Sequence, residues 1–521
     1  MTARRPRAGD VPRVLVRLDL LDPATGNVAP LRVATSDFAD KISQSEVYKG
    51  TLSLAPVINR SVGIGSLFSG GGAATARMTI RNDGEYDQAL TRFIWEGHPV
   101  QVYAGVIGQD FADYETIFTG TIQSVEWNWG EIEVSIEDIL ALLDREIQPN
   151  TFAGTGGYEG GADLAGIRKP ICIGRPLNVP LVAINRSLSI YLAGDVSWSS
   201  VPITVDAPFL YDKGVARTDA GTSSDLITDQ PLFGQYKTDP SRGAARLGGN
   251  IFGTVTADVE ALASGSPPGT ADAASASRII LASRGVNSPS LEIESFDALK
   301  AANNSDIGVY VPQGGLASEV LDTTLASVGA FRGTRGNGLV FVRRFEAPVA
   351  SNPDDCDLAL FEQDLIGSGP LPRLRRRLLQ VPPWQFRVGY DRAWEVQPFN
   401  DLAASAVDVG RLDLVGTDYR YGEVSSTTVR DQHPASVPLT IAAGLRGKAA
   451  AEAEAARLSA LIGIPRDVYI CEVDLIPGTL SLGDQVWLQV SRFGLDRGKA
   501  FRVIAISESA RTFRATLELF G

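Results

Sequence analysis

The sequence predicts a mainly β protein with minor α content, built from several β-barrel or β-sandwich domains with short helices and a loop-rich middle insertion. Three observations point there. Glycine (53) and proline (29) are abundant, so turns are frequent. Long stretches with helical apolar spacing are few. Short apolar runs instead alternate with period two between turn residues, as half-buried strands do. At 521 residues the chain is long enough for several domains of about 100–200 residues each.

Taken in order, residues 1–9 form a short basic arm with Arg4, Arg5 and Arg7, expected to be a solvated tail. Residues 10–150 read as an N-terminal β-barrel domain. Strands are expected at 14–20, 31–35, 47–54, 76–81, 99–104, 115–125 and 131–136. Turns fall at 22–26 and at Asn82, Asp83 and Gly84. The glycine-rich stretch 61–72 reads as a flexible loop, 86–93 as a helical turn, and 138–145 as a short helix with Asp138 as its N-cap.

Glycines at 154–161 mark a boundary. Residues 151–345 read as a middle α+β domain whose insertion, 215–340, is loop-rich. Short strands are expected around 179–183, 189–192 and 201–205, then long loops over 212–275 with room for one β-hairpin. Helices are expected at 291–303 and 316–330, where Leu321, Leu325 and Val328 share a face, and a strand at 338–343. A third domain, 346–468, opens at Cys356, holds a strand at 385–390 and ends in a helix at 442–462. On that helix Ala451, Ala455, Leu458 and Ile462 share a face, Glu452, Glu454 and Arg457 lie off it, and Gly463 and Pro465 stop it. Residues 469–521 form a C-terminal meander that completes a barrel. Gly483 and Gly494 are expected in turns, and Trp487 is expected to be packed.

The chemistry-bearing residues are scattered. His98 and His433 stand alone, and neither accompanies a nucleophile turn such as G-x-S-x-G. Cys172, Cys356 and Cys471 lie far apart, which gives neither a disulfide framework nor a zinc or iron–sulfur ligand set. Glu131 and Glu133 share a strand face, close to Glu137 and Asp138, and read as the solvated side of a sheet. Residues 333–338 hold three glycines before a strand, the wrong order for a dinucleotide fingerprint. The basic run 373–377 reads as a surface loop, able to touch an anion or an acidic partner. Trp95, Trp127, Trp129, Trp198, Trp384, Trp394 and Trp487 are spread widely and suit core or subunit-interface packing, with Trp127 and Trp129 on one strand face. No catalytic, cofactor-binding or metal-ligating residue is assigned, and no enzyme activity is expected.

A formal net charge of −13 argues against a body that grips nucleic acid, because phosphate neutralisation needs excess lysine and arginine. No apolar run approaches a membrane span, and no secretory signal is visible.

The order of several stretches carries a resemblance. They are GTLSL at 50–54, IRNDGEYD at 80–87, GHPVQVYAG at 97–105, FTGTI at 118–122 and IEDIL at 136–140. KPICIGRPLNVP at 169–180 follows, with Tyr211, Asp212 and Gly214 downstream. VGYDRAW at 388–394, EAARL at 454–458, LGDQV at 482–486 and RFGLDRGKAF at 492–501 complete the set. The chain resembles tail-tip and baseplate hub proteins of long-tailed bacteriophages, over most of its length outside 215–340. The resemblance implies a non-enzymatic virion protein built from β-barrels, a homotrimer in preference to a hexameric distal tail ring. Its implied partners are the tail tube or distal tail protein, the tape measure protein and central fibre or receptor-binding proteins, around a channel for DNA. It implies assembly in the host bacterial cytoplasm and a place at the tail tip. A cell-wall-binding or cell-wall-degrading component is a further alternative, and the absence of tryptophan from 215–340 weakens its glycan-binding form.

Overall fold

The computed structural model describes residues 5–7, 9–40, 46–62, 74–264, 271–368 and 371–521. The chain is mainly β, with several sheets and short helices.

The N-terminal sheet has seven strands among the described residues, running from Val28–Ala34 through Pro12–Leu21, Pro99–Val106, Glu115–Trp127, Glu131–Asp138 and Thr75–Arg81 to Leu52–Leu54. It nearly closes on itself. Ala34 N donates to Lys49 O (2.7 Å) and Lys49 N to Arg32 O (3.2 Å), which brings the first edge against the segment leading into the last. Alternation explains the core: Ile132, Val134 and Ile136 are buried inside, while Glu131 and Glu133 face outward. The expected single strand over 47–54 is broken. Val47–Tyr48 pairs with Phe38–Ala39, whereas Leu52–Leu54 pairs with Thr75–Arg81. Gly50 sits at the break, where a Cβ would lie 2.9 Å from Asp37 N. The glycine-rich loop of 61–72 begins with Ser61 inside a strand, and its residues from 63 lie outside the described residues.

In the middle of the chain, one sheet contains Ile171–Gly174, Ile203–Asp212, Val255–Ala263 and Gly308–Val311. A second contains Val182–Asn185, Ile190–Leu192, Ala244–Leu247, Gln235–Asp239 and Thr218–Thr222. Residues 212–275 therefore carry strands where long loops were expected. Their Ala-, Thr- and Asp-rich runs hide alternation that larger apolar residues would display. Helix Ala273–Ser283 follows, beyond what the spacing predicts, with Asp272 capping it by accepting from Ser275 N (2.9 Å). Helices Ile293–Ala302 and Ala317–Ala326 form as expected beside the hairpin Ala330–Thr334 and Val340–Arg344.

Further on, Gln385–Tyr390 lies between Arg420–Ser425 and Leu439–Leu445, and helix Lys448–Ile462 packs on this small sheet. The helix begins later than its periodicity predicted, because residues 439–445 pair as a strand. Gly447 makes the break, at a left-handed φ of 83°.

The C-terminal sheet draws on four parts of the chain. Its order is Leu358–Phe361, Gln485–Gln489, Lys499–Ser509, Arg514–Phe520, Asp467–Asp474 and Leu374–Leu378. Strand Val57–Ser61 from the N-terminal region also pairs with Lys499–Ser509. The long strand Lys499–Ser509 thus holds Gln485–Gln489 along its first half and Val57–Ser61 along its second. The basic run at 373–377 is an edge strand, not a loop. Its arginines are exposed, and Arg376 and Arg377 reach Asp467 (2.9 Å) and Glu518 (2.8 Å). Of the basic arm, Arg5 is held rather than solvated: it pairs with Asp364 and donates to Ala359 O, while residues 1–4 and 8 lie outside the described residues.

Trp487 is 7% exposed, on the opposite face of its strand from Val486 and Leu488, so this strand is covered on both sides. Gly483, Gly494 and Gly498 all take left-handed φ values, as turns here require. At Gly498 a Cβ would lie 2.3 Å from Trp487 Nε1. Gly498→Ala is expected to cost about 1–3 kcal/mol through overpacking, in addition to the left-handed penalty of about 1 kcal/mol. Chemical unfolding measures the loss, and tryptophan fluorescence reports the displaced indole.

Candidate functional site: the joint between the terminal sheets and its cleft

The joint begins with two short alternating runs. In Val57–Ser61, Ile58 and Arg60 point to one buried face. In Lys499–Ser509, Ile504, Ile506 and Glu508 do the same. Each strand therefore places one charged residue at an apolar position, and antiparallel pairing brings the two together. Arg60 Nη1 donates to Glu508 Oε2 (2.8 Å), with side chains 7% and 0% exposed. Arg60 Nη2 donates to Ile117 O in the N-terminal barrel (2.8 Å), and Glu508 Oε1 accepts from Gly478 N (2.9 Å). Burial pushes the Glu508 carboxyl above its usual range, with Arg60 and the Gly478 N–H pulling against it. The turn after this strand seats Ala510 and Phe513 in the core of the N-terminal barrel.

A second tie joins the barrel to the middle of the chain. Asp138 caps the 3-10 helix Ile139–Leu143 by accepting from Leu140 N (3.0 Å). Its other oxygen accepts from Thr334 Oγ1 (2.6 Å), on the hairpin. Burial raises its pKa, against these hydrogen bonds and the nearby Arg60. The capping role expected from sequence is met, but by a 3-10 helix and a buried side chain.

Beside this joint lies a cleft of about 600 Å3 with a neighbouring space of about 510 Å3; they share Glu292, Arg343, Asp357 and Asp484. Its walls come from the barrel (Glu115, Thr116), the hairpin and the C-terminal turns. Two ion pairs are fixed in its wall. Arg335 donates twice to Glu292, at 2.9 Å each, and Arg343 Nη1 donates to Asp484 Oδ1 at 2.7 Å. Burial penalises the Glu292 carboxylate, yet Arg335 outweighs it and holds that group below the usual carboxylate range. Arg502 donates to Gly483 O (2.9 Å), and burial lowers its pKa. Neither histidine nor any cysteine lines the cleft. Such a surface offers fixed donors and acceptors to a polar polypeptide or ligand.

The sequence candidates are not gathered here. His98 and His433 are half-buried, one between strands and the other at the end of helix Thr427–Gln432. Cys172 and Cys471 are buried, Cys356 is partly buried, and all three are free thiols. Burial pushes Cys471 up to about 12. No group of three or more His, Cys, Asp or Glu residues able to hold a metal ion occurs among the described residues. Trp127 packs edge-on against Trp95 at 5.7 Å, but Trp129 has left the strand for the turn and is fully exposed. Sequence reasoning passed over Arg60 and Glu508. The available signal was a charge at the apolar phase of a period-two run.

No protein-family model matches the chain, and no curated protein matches it. Among solved structures it is similar to a tail protein from Neisseria meningitidis, at 11% identity over 98% of this chain and 97% of that one, TM-score 0.40. It is also similar to a prophage tail protein from Shewanella oneidensis, at 9% identity over 97% and 98%, TM-score 0.35. A third similar structure is a prophage tail protein from Listeria monocytogenes, at 8% identity over 98% and 94%, TM-score 0.35.

Proposed function

We propose that this chain is a structural virion protein of a long-tailed bacteriophage, forming the baseplate hub at the tail tip as a homotrimer. It links the tail tube or distal tail protein above to fibre or receptor-binding proteins below. It surrounds the path of the tape measure protein and DNA. It does no covalent chemistry, and it is assembled in the host cytoplasm. Its units are 10–150, 151–345, 346–468 and 469–521.

The observation that carries this reading is the shared strand Lys499–Ser509, which welds a nearly closed N-terminal barrel to a C-terminal sheet. A ring-forming hub must transmit force between neighbours without hinging, and a strand held on both flanks does that. The resemblance in residue order supports the same reading. So does the net charge of −13, which disfavours gripping the DNA that passes.

The test is the mass of complexes formed by the full chain, alone and with co-expressed tail proteins. Three copies per complex are expected. Six copies would favour a distal ring, and a chain that stays single in every mixture would overturn the reading. Peptidoglycan hydrolysis by the purified chain would replace it with the cell-wall alternative.

A further inference from the structure

Three arginines line one small cavity where the middle of the chain adjoins the third region, and we propose that this cavity binds a small oxyanion, a phosphate or a carboxylate group. It is separate from the cleft described above, and nothing in it depends on how many copies of the chain assemble.

Stretches that stood out in the sequence meet there. Asn178 comes from the run 169–180, and Asp391 and Ala393 come from the run 388–394. Ala393 bridges to Leu177 in parallel, and Trp394 N and Glu395 N donate to Leu177 O (3.2 Å) and Asn178 O (2.9 Å). Strand Val255–Ala263 adds Asp258, and the third region adds Arg411, Arg420 and Arg446. The cavity holds about 230 Å3. That is below the roughly 300–1,000 Å3 of sites for drug-sized ligands, yet ample for an ion of about two water volumes, ~60 Å3.

The lining is rich in donors and its acceptors are already engaged. Asp258 Oδ1 accepts from Asn178 N (2.9 Å), with Arg411 Nη2 at 3.8 Å, and its Oδ2 accepts from Tyr211 Oη (3.1 Å). Asp391 Oδ1 accepts from Arg446 Nε (2.9 Å) and Gly447 N (3.0 Å), and its Oδ2 lies 3.5 Å from Arg420 Nη2. Arg411 is buried. Its guanidinium lies 3.6 Å over the Tyr211 ring, and Nη2 donates to Asn178 Oδ1 (2.9 Å), but its Nε has no partner. Arg420 Nε is buried without a partner too. Each guanidinium carries five N–H groups, and two carboxylates meet only a few of them. Three arginines against two aspartates also leave one positive charge in excess among the lining residues. An oxyanion supplies several acceptors and one compensating charge, and the planar guanidinium fork matches its oxygens.

The residues that hold the arginines are themselves held. Asn178 and Asp391 both take left-handed backbone, at φ 47° and 45°. Non-glycine residues adopt it uncommonly, and it persists where the surroundings fix it, as at ligand sites. Helix Arg411–Val415 has little else to secure it, since it packs on a small separate core that includes Ala393, Leu402 and Val415. An ion on Arg411 and Arg420 would therefore fasten this helix to the middle of the chain.

The experiment titrates the full chain with inorganic phosphate and, separately, with acetate, at an ionic strength held constant with sodium chloride. Calorimetry reads the binding, and one ion per chain is expected at saturation. At ten times the dissociation constant, amides of Arg411–Val415 should exchange about tenfold more slowly, because opening must release the ion. Arg420→Gln should weaken binding at least about tenfold, the loss of a charge-assisted hydrogen bond. Arg411→Lys keeps the charge without the fork and should weaken it as well. Arg387→Gln should bind as the natural protein does, since Arg387 lies outside the cavity and pairs with Glu423 (2.7 Å). Thermal midpoints without either ion check that each variant folds. Tighter binding of phosphate assigns a phosphate group, and tighter binding of acetate assigns a carboxylate. Absence of saturable binding of both ions, or equal binding by the natural protein and the two cavity variants, overturns the site.

Discussion

Replacing Glu508 by alanine is expected to destabilise the joint between the terminal sheets by about 3–5 kcal/mol, the cost of leaving a buried charge without its partner. Arg60 would keep its bond to Ile117 O but lose its carboxylate, with only 7% of its side chain in contact with solvent. Gly478 N would lose its acceptor as well. The effect should be local first. Amides of Val57–Ser61, which pair with residues 505–509, should exchange with solvent faster than those of the N-terminal barrel. Hydrogen exchange measures this directly. Arg60→Met with Glu508→Leu should recover much of the loss, because an apolar pair of similar volume removes the desolvation penalty. Equal exchange in the alanine variant and the natural protein would show that the ion pair does not hold the strand.

The same carboxyl gives a pH dependence of defined sign. Burial raises the Glu508 pKa above its ordinary 4.5, so the folded protein holds this proton more tightly than the unfolded chain. Its contribution is fully present below about pH 4.5 and is lost as pH rises through the folded value. Glu508→Gln should remove that slope. The unfolding free energy of the natural protein, relative to the glutamine variant, should fall as pH rises from about 4.5. A relative stability that rises with pH would mean that Arg60 outweighs burial.

Glu454→Ala is the second large effect, also about 3–5 kcal/mol. Glu454 lies on helix Lys448–Ile462 with its side chain 1% exposed. Its Oε2 accepts from Arg344 Nη2 (2.5 Å), and its Oε1 accepts from Arg457 Nη2 (2.6 Å). Arg457 also donates to Phe345 O (2.7 Å), and Arg344 donates to Val328 O and Ala302 O, both at 3.1 Å. One carboxylate therefore ties the helix to the hairpin and to the end of helix Ile293–Ala302. Without it two guanidinium groups face each other in a confined space. Glutamine keeps the shape and one acceptor, so Glu454→Gln should lose less than alanine in chemical unfolding. Equal losses would assign the effect to packing and not to charge.

Glu454 also shows where sequence reading stops. The spacing of Ala451, Ala455, Leu458 and Ile462 identified the buried face of the helix, and all four residues are buried. The same periodicity placed Glu454 off that face, as it must for a helix covered on one side. The hairpin covers a second side. A single-helix pattern carries no information about a neighbour contributed by residues 330–344. The arginines of 373–377 make the same point: the charge run was visible, but its pairing to Asp467–Asp474 was not. A charge run lacks the apolar alternation by which strands are recognised.

The sequence by itself determined the β character, the turns at Asn82–Gly84, Gly483 and Gly494, the helices near 293 and 317, and the packed state of Trp487. Each follows from local rules: period-two alternation, φ preferences and the spacing of apolar residues. Only the tertiary structure decided that Val57–Ser61 belongs to the C-terminal sheet, that Arg60 meets Glu508, and that a cleft forms where the barrel, the hairpin and the C-terminal turns adjoin. Those partners are separated by hundreds of residues, and strand pairing uses backbone groups that every residue carries, so composition and spacing leave the choice of partner open. Burial of apolar faces around shared cores makes that choice.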